Sequence, residues 1–213
     1  EGHPVIAVLD YGIGNLRSAE KALQHLGAPA RLVADPDEVG QATAVVLPGV
    51  GAFGRCAEAL EASGLGEAAR VAIAAHKPFL GICIGMQLLY ETSEESPGAQ
   101  GLGVFPGRVA LLGAGVKRPQ MQWNRLERVP ERCSQLLAGL GSDPWVYFVH
   151  SFAPPVGEET VATCEYGGEV SAVVERGHVW GTQFHPEKSG PTGLAVLSNF
   201  VERCSAALGP AAS

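Results

Sequence analysis

Phe79-Leu80-Gly81-Ile82-Cys83-Ile84-Gly85-Met86-Gln87-Leu88-Leu89-Tyr90 begins as an apolar strand pattern and continues as a helical one. A cysteine stands at the join, with a glycine two residues to either side. A strand running straight into a helix is the repeating unit of a parallel sheet covered by helices. The join itself is a sharp turn, and small residues around it leave room where the two backbones crowd. A helix beginning beside the sulfur would aim free N–H groups and a positive dipole end at it, favouring the nucleophilic thiolate.

Working outward toward the N-terminus, the same alternation recurs. Residues 5–9 are a continuous apolar run ending in Asp10, as expected of a strand covered on both faces. Gly12 and Gly14 make a turn, Asn15 is expected to cap a helix running through Leu26, and Gly27 to end it. Residues 30–33 and 44–47 read as strands, and residues 53–75 as two short helices parted near 63–66. Toward the C-terminus, residues 144–152, 161–165, 171–175 and 179–184 are apolar or alternating runs joined by short turns such as Arg176-Gly177. They are expected as antiparallel additions or extensions of the sheet. A closing helix is expected from about 192 to 208, with Leu194, Leu197, Val201, Cys204 and Leu208 on its apolar face. The expected architecture is α/β: one domain over residues 1–213, a central mostly parallel sheet flanked by helices, and antiparallel strands added in the C-terminal half.

Composition narrows the function. A chain of 213 residues that is 46% hydrophobic and 17% charged can bury a full core. Its net charge of −7 and the lack of any lysine or arginine cluster argue against a nucleic-acid surface. No apolar run reaches the length of a membrane span, and the first residues show no charged-then-apolar signal pattern, so a cytoplasmic protein is expected. Cys56, Cys83, Cys133, Cys164 and Cys204 are odd in number, widely spaced and without a C-x-x-C pair. Neither a disulfide framework nor a metal site is expected from them, and a reducing compartment suits them.

A thiol nucleophile needs an imidazole within reach, and the imidazole needs a partner on its other nitrogen. The strand Val179-Trp180-Gly181-Thr182-Gln183-Phe184 runs into His185-Pro186-Glu187-Lys188-Ser189. Residues two apart in extended chain point the same way, so His185 and Glu187 are expected side by side, with Pro186 stiffening the segment. An ordinary polar loop after a strand is the competing reading of these residues. His3 is terminal, His25 and His76 lie near helix ends, and His178 lies in a turn. His150, which ends the run Tyr147-Phe148-Val149-His150, is the one rival base, and it lacks a nearby carboxylate.

The cysteine stretch together with His185-Pro186-Glu187 resembles the class I (triad) glutamine amidotransferases. Asp10-Tyr11-Gly12-Ile13-Gly14-Asn15, Pro48-Gly49-Val50-Gly51-Ala52-Phe53, Tyr147-Phe148-Val149-His150-Ser151-Phe152 and His185-Pro186-Glu187-Lys188-Ser189 narrow the likeness. They resemble the glutaminase subunits of imidazole glycerol phosphate synthase, over nearly the whole chain and in the expected order. The resemblance implies hydrolysis of glutamine to glutamate and ammonia, with the ammonia passing to a (β/α)8-barrel cyclase subunit in a heterodimer of histidine biosynthesis. It implies Cys83 as the nucleophile forming a γ-glutamyl thioester, His185 as acid and base, and Glu187 as the group holding the imidazole. Ile84 and the loop formed by Gly49, Val50 and Gly51 become candidates for an oxyanion hole, since acyl transfer needs donors preset where charge develops. Gln87, Glu95, Ser151 and Phe152 are expected around the substrate, with Gln87 and Glu95 on the helix beyond Cys83. Asn15, Trp123, Tyr147 and Lys188 are expected toward the partner. No cofactor is implied. One departure stands out: Pro119-Gln120-Met121-Gln122-Trp123-Asn124 carries two glutamines where the family usually shows a His and a Gly. Other readings are a glutaminase of another synthase, a catalytically idle binding subunit, and a thiol hydrolase of γ-glutamyl peptides.

Overall fold

A computed structural model describes residues 5–207. The strands are β1 (Ile6–Leu9), β2 (Ala30–Val33), β3 (Ala44–Gly49), β4 (Phe79–Cys83), β5 (Tyr90–Ser93), β6 (Phe105–Leu111), β7 (Gln120–Arg125), β8 (Glu127–Arg128), β9 (Trp145–His150), β10 (Phe152–Ala153), β11 (Thr160–Glu165), β12 (Glu169–Arg176) and β13 (Val179–Thr182). The helices are α1 (Leu16–His25), α2 (Pro36–Gln41), α3 (Phe53–Ala62), α4 (Leu65–Ala74), α5 (Ile84–Gln87) and α6 (Gly190–Ala206), and Pro186–Lys188 forms a 3-10 turn.

The main sheet has the order β2-β1-β3-β4-β13-β12-β11-β8. Its first five strands run parallel, and β12, β11 and β8 continue it antiparallel. Every residue of β1, β3, β4 and β13 is buried, which is why these strands, Thr182 apart, are runs of apolar and small residues instead of alternating. The chain winds from β1 outward to β2, then back past β1 to β3. The carboxyl ends of β1, β3, β4 and β13 thus open on one crevice, the usual place for a ligand in such sheets. The expected mostly parallel α/β sheet is therefore observed, with β13 as a parallel extension and β11–β12 as the antiparallel hairpin. No helix among the described residues is long and apolar enough to cross a membrane.

Local expectations differ from the structure in places. Asn15 precedes α1, but its side chain makes no capping bond. Gly27 takes φ +77° after that helix, a conformation glycine adopts freely. Helix α2 has no apolar periodicity and was not expected; it is set by Pro36 at its first turn and by Asp35, whose carboxylate accepts from the Asp37 N–H at 2.9 Å. Helix α6 buries Gly193, Val196, Leu197, Phe200 and Cys204, so its inner face lies to one side of the expected stripe, with Leu194 and Val201 flanking it. Leu208, expected at its end, lies outside the described residues.

The largest correction is beyond Cys83. The helical pattern through Tyr90 yields only the one-turn α5, and Tyr90–Ser93 is a strand paired with β6. Leu88, Leu89 and Tyr90 are apolar because they are buried on all sides, and the Leu88 and Leu89 carbonyls accept from the Leu102 and Phe105 N–H groups. Periodicity over so short a segment does not separate the two structures. Glu95 consequently lies in the turn after β5, off any helix.

Candidate active site

Cys83 ends β4 with φ +56° and ψ −112°, outside the regions favoured by non-glycine residues. The flanking glycines are there because nothing larger fits. A Cβ on Gly85 would overlap the Leu47 carbonyl oxygen, and one on Gly81 would press on the Gly85 carbonyl at 2.6 Å. Strand β4, helix α5 and the neighbouring β3 meet at contact distance around the sulfur. Cys83 is 3% exposed and forms part of the wall of a cavity of ≈ 230 Å³.

His185 follows β13, the parallel neighbour of β4, and reaches the same cavity. Its Nδ1 lies 2.7 Å from Glu187 Oε1, and both side chains are almost fully buried. The segment is not extended as expected: residues 186–188 form a tight turn, which brings the carboxylate back over the ring. The turn is tied down on both sides. Ser189 Oγ donates to the His185 carbonyl at 2.6 Å and accepts the Tyr147 N–H at 2.9 Å, while the His185 N–H donates to the Tyr147 carbonyl. Burial alone would lower the His185 pKa, but the neighbouring Cys83 sulfur and the hydrogen-bonded Glu187 carboxylate outweigh it, so the imidazolium is favoured. A buried cation between a thiol and a carboxylate is a proton carrier with its orientation preset.

Around this pair the cavity is lined by Val50, Gly51, Ile84, Gln87, Glu95, Ser151, Phe152 and Lys188 among others. Gly49 ends β3 directly beside Cys83 in register. The 48–51 loop is braced by two side chains that sequence reading did not single out: Tyr11 OH donates to the Pro48 carbonyl at 2.5 Å, and the Cys56 thiol to the Val50 carbonyl at 3.2 Å. Gln87 is fully buried; its Nε2 donates to the Phe152 carbonyl at 2.9 Å and to Gln183 Oε1 at 3.1 Å, leaving Oε1 without a partner. Glu95 accepts the Phe53 N–H at the start of α3, at 2.9 Å. The Ser151 carbonyl is taken by the Leu112 N–H. Gln183, also fully buried, points its Nε2 at Cys83 Sγ, 3.8 Å away. A glutamine inside an apolar strand, two residues before the histidine, was the signal for it, because a buried amide must find partners.

The pattern of the whole chain matches the family described as "Glutamine amidotransferase class-I" over residues 7–204. The chain belongs to that family. It is 50% identical over 199 residues to the imidazole glycerol phosphate synthase subunit HisH of Methanothermobacter thermautotrophicus, covering 93% of this chain and 98% of the relative. It is 47% identical over 202 residues to the protein of the same name from a Synechococcus species, covering 92% and 93%. Among these amidotransferases it therefore belongs with the HisH subunits. Two solved structures share the fold at lower identity. One, a glutamine amidotransferase, has a TM-score of 0.74 at 22% identity over 94% of this chain and 98% of that one. The other, PurLQS from Thermotoga maritima, has a TM-score of 0.74 at 21% identity over 95% and 99%.

In this amidotransferase, β7 and β9 form a separate two-stranded sheet beside the cavity mouth. Register puts Gln120, Val146, Phe148 and His150 on its inner face, all buried. Met121, Trp123, Trp145 and Tyr147 share the outer face, where Met121 is 61%, Trp123 49% and Trp145 47% exposed. The Trp123 and Tyr147 rings pack 6.1 Å apart. Lys188 is exposed at the cavity edge, and Asn15 is exposed at the start of α1, which packs against the Pro186–Lys188 turn.

Proposed function

We propose that this chain is the glutaminase subunit of imidazole glycerol phosphate synthase, with Cys83, His185 and Glu187 as its catalytic residues. The observation that carries the reading is the buried His185–Glu187 pair, 2.7 Å apart, in one cavity with a cysteine held at positive φ. Cys83 attacks the side-chain carbonyl of glutamine, and the carbonyl carbon becomes tetrahedral. His185 delivers the proton taken from the thiol to the leaving nitrogen, the C–N bond breaks, and ammonia departs from a γ-glutamyl thioester. Water, deprotonated by His185, then attacks the thioester; the C–S bond breaks, and glutamate and the thiol are restored. Glu187 holds the ring and balances the imidazolium. Backbone N–H groups of Ile84 and of the Gly49, Val50 and Gly51 loop are assigned to the oxyanion. Gln87, whose buried acceptor oxygen has no partner, is assigned to the substrate with Glu95, Ser151 and Phe152, all lining the cavity.

The ammonia acceptor is a (β/α)8-barrel cyclase subunit, bound over the outer face of β7 and β9 with Asn15, Trp123, Tyr147 and Lys188 at the contact. Support comes from the exposed apolar patch of Met121, Trp123 and Trp145 at the cavity mouth. Five free cysteines suit a reducing compartment, and the cytoplasm is the proposed one. The test is synthesis by the reconstituted pair, driven by glutamine or by an ammonium salt. Cys83→Ser is expected to abolish the first and spare the second, because loss of a covalent nucleophile costs several orders of magnitude in rate. Near-normal glutamine-driven turnover by the serine variant would remove Cys83 from the mechanism.

A further inference from the structure

His150 is a buried imidazole that the hydrolysis does not use. It is 5% exposed, its Nδ1 is 2.8 Å from the Phe152 carbonyl, and its Nε2 is 2.8 Å from Gln120 Oε1. The same Phe152 carbonyl accepts Gln87 Nε2, whose other hydrogen goes to Gln183 Oε1. Gln183 in turn reaches Cys83 Sγ. At the other end, Gln120 Nε2 points at the buried Cys164 sulfur, 3.8 Å away. These contacts form one continuous chain from strand β7 to the nucleophile.

The direction of each bond follows from the protonation states. Burial, which outweighs the Phe152 hydrogen bond, together with the nearby His185 charge pushes the His150 pKa down to about 4, so its ring is neutral near pH 7. Burial pushes the Cys164 thiol up to about 12, so its S–H is present as a donor. A neutral ring that donates from Nδ1 to Phe152 has a lone pair at Nε2, which needs a donor opposite. The two ends of a glutamine amide are set by such partners. The structure sets Gln120 Oε1 against His150 Nε2 and Gln120 Nε2 toward Cys164 Sγ; with the two ends of that amide exchanged, Nε2 donates to the His150 lone pair, Oε1 accepts the Cys164 S–H, and every group in the chain is satisfied. The one exception is Gln87 Oε1, a buried acceptor without a partner.

We propose that His150, fixed as the Nδ1–H tautomer by the Gln120 amide, is a positioning residue that orients the Phe152 carbonyl and through it the Gln87 amide that receives glutamine. Two donors meet on the Phe152 carbonyl, and the two bonds of Gln87 Nε2 leave its oxygen as the unpaired end of the amide. Gln120, one of the two departures from the usual family sequence, supplies a donor from a side chain with no charge to lose or gain. The inference rests on the glutaminase reading, and the experiment separates the two.

The complete pair with its partner subunit is assayed for glutamine KM and kcat. His150→Phe keeps the ring against Phe148 but loses both bonds. It is expected to raise KM about tenfold, the scale of one lost hydrogen bond to a buried group, with a smaller change in kcat. His150→Asn places an amide N–H near the Nδ1 position and is expected to recover most of the lost affinity. Gln120→Met removes the donor to Nε2 with little change of volume, and an intermediate KM is expected; it also serves if His150→Phe does not fold. In parallel, 15N resonances of the wild-type imidazole at pH 7 are expected to report a neutral ring protonated at Nδ1. An imidazolium or an Nε2–H tautomer overturns the proposal, as does an unchanged KM in both His150→Phe and Gln120→Met, or an asparagine variant no better than phenylalanine. Absence of glutamine turnover in the wild-type pair would instead overturn the glutaminase reading, while the 15N result still decides the tautomer.

Discussion

Cys83 sits at φ +56°, which costs a non-glycine residue on the order of 1 kcal/mol or more and persists only where the surroundings enforce it. Here the enforcement is the register of β4 with β3 and β13 on its two sides. The same crowding sets the roles of His185 and Glu187. With Oε1 on Nδ1 at 2.7 Å, the ring turns its other nitrogen away from the carboxylate. His185→Ala removes the proton carrier, and glutamate release is expected to fall by ~10³ or more. Glu187→Gln keeps an oxygen facing Nδ1–H but loses the charge that stabilises the imidazolium, so a smaller loss is expected. Steady-state glutamate release by the two variants in complex with the partner checks the ranking, and equal or reversed losses would mean the roles are misassigned.

At the scale of elements, the elbow is a three-way contact among β3, β4 and α5, and glycine is the only residue that lets them meet. Gly85→Ala drives a methyl into the Leu47 carbonyl, which is backbone and cannot step aside. A loss of about 2–4 kcal/mol is expected, at the upper end of single-site effects, read as a lower denaturant midpoint with an unchanged slope. Gly141→Ala, which like Gly85 has no positive φ but has open space around it, is the control; a matching loss there would mean that crowding at the elbow is not the cause. Helix α5 has only four residues, so its dipole is a minor source of charge stabilisation for the sulfur. The cation at His185 takes that part, and it comes from a different strand.

At the scale of the molecule, the outer side of β7 and β9 is an exposed apolar face with the buried neutral His150 beneath it. Trp123→Ala is expected to weaken binding of the cyclase subunit about tenfold or more, since exposed tryptophans at an interface centre commonly carry ~2 kcal/mol or more. Titration calorimetry of the pair measures it, and unchanged affinity would place the partner elsewhere. His150 also shapes stability against pH. Its folded pKa of about 4 lies below the ordinary 6.5, so between these values the unfolded chain holds a proton that the folded chain lacks. Its contribution is therefore intact above 6.5 and lost progressively toward pH 4, by about 3 kcal/mol in total. His185, shifted upward, acts in the opposite sense: its contribution is present below 6.5 and lost as pH rises above that, so the two windows do not overlap. Chemical denaturation at a series of pH values should show a shallower decline between 6.5 and 4 for His150→Asn than for the parent. Parallel curves would mean that His150 titrates normally in the fold.

Short-range physics carried the sequence a long way. Continuous apolar runs flanked by glycine marked β1 to β4, the turn glycines marked where helices stop, and Gly81-Ile82-Cys83-Ile84-Gly85 marked the elbow, because each of these is decided by neighbours within a few residues. The spacing of His185 and Glu187 brought them together even though the backbone between them is a tight turn and not a strand. What the tertiary structure alone decided is everything set by partners distant in the chain. Tyr90–Ser93 is a strand because β6 lies beside it, and Gln120, Gln183, Cys56 and Tyr11 belong to the site because residues 6 to 100 positions away need their hydrogen bonds. A local pattern records which residues are apolar; it does not record which buried polar atom will satisfy which other, and that pairing is fixed only when the sheet closes and water is excluded.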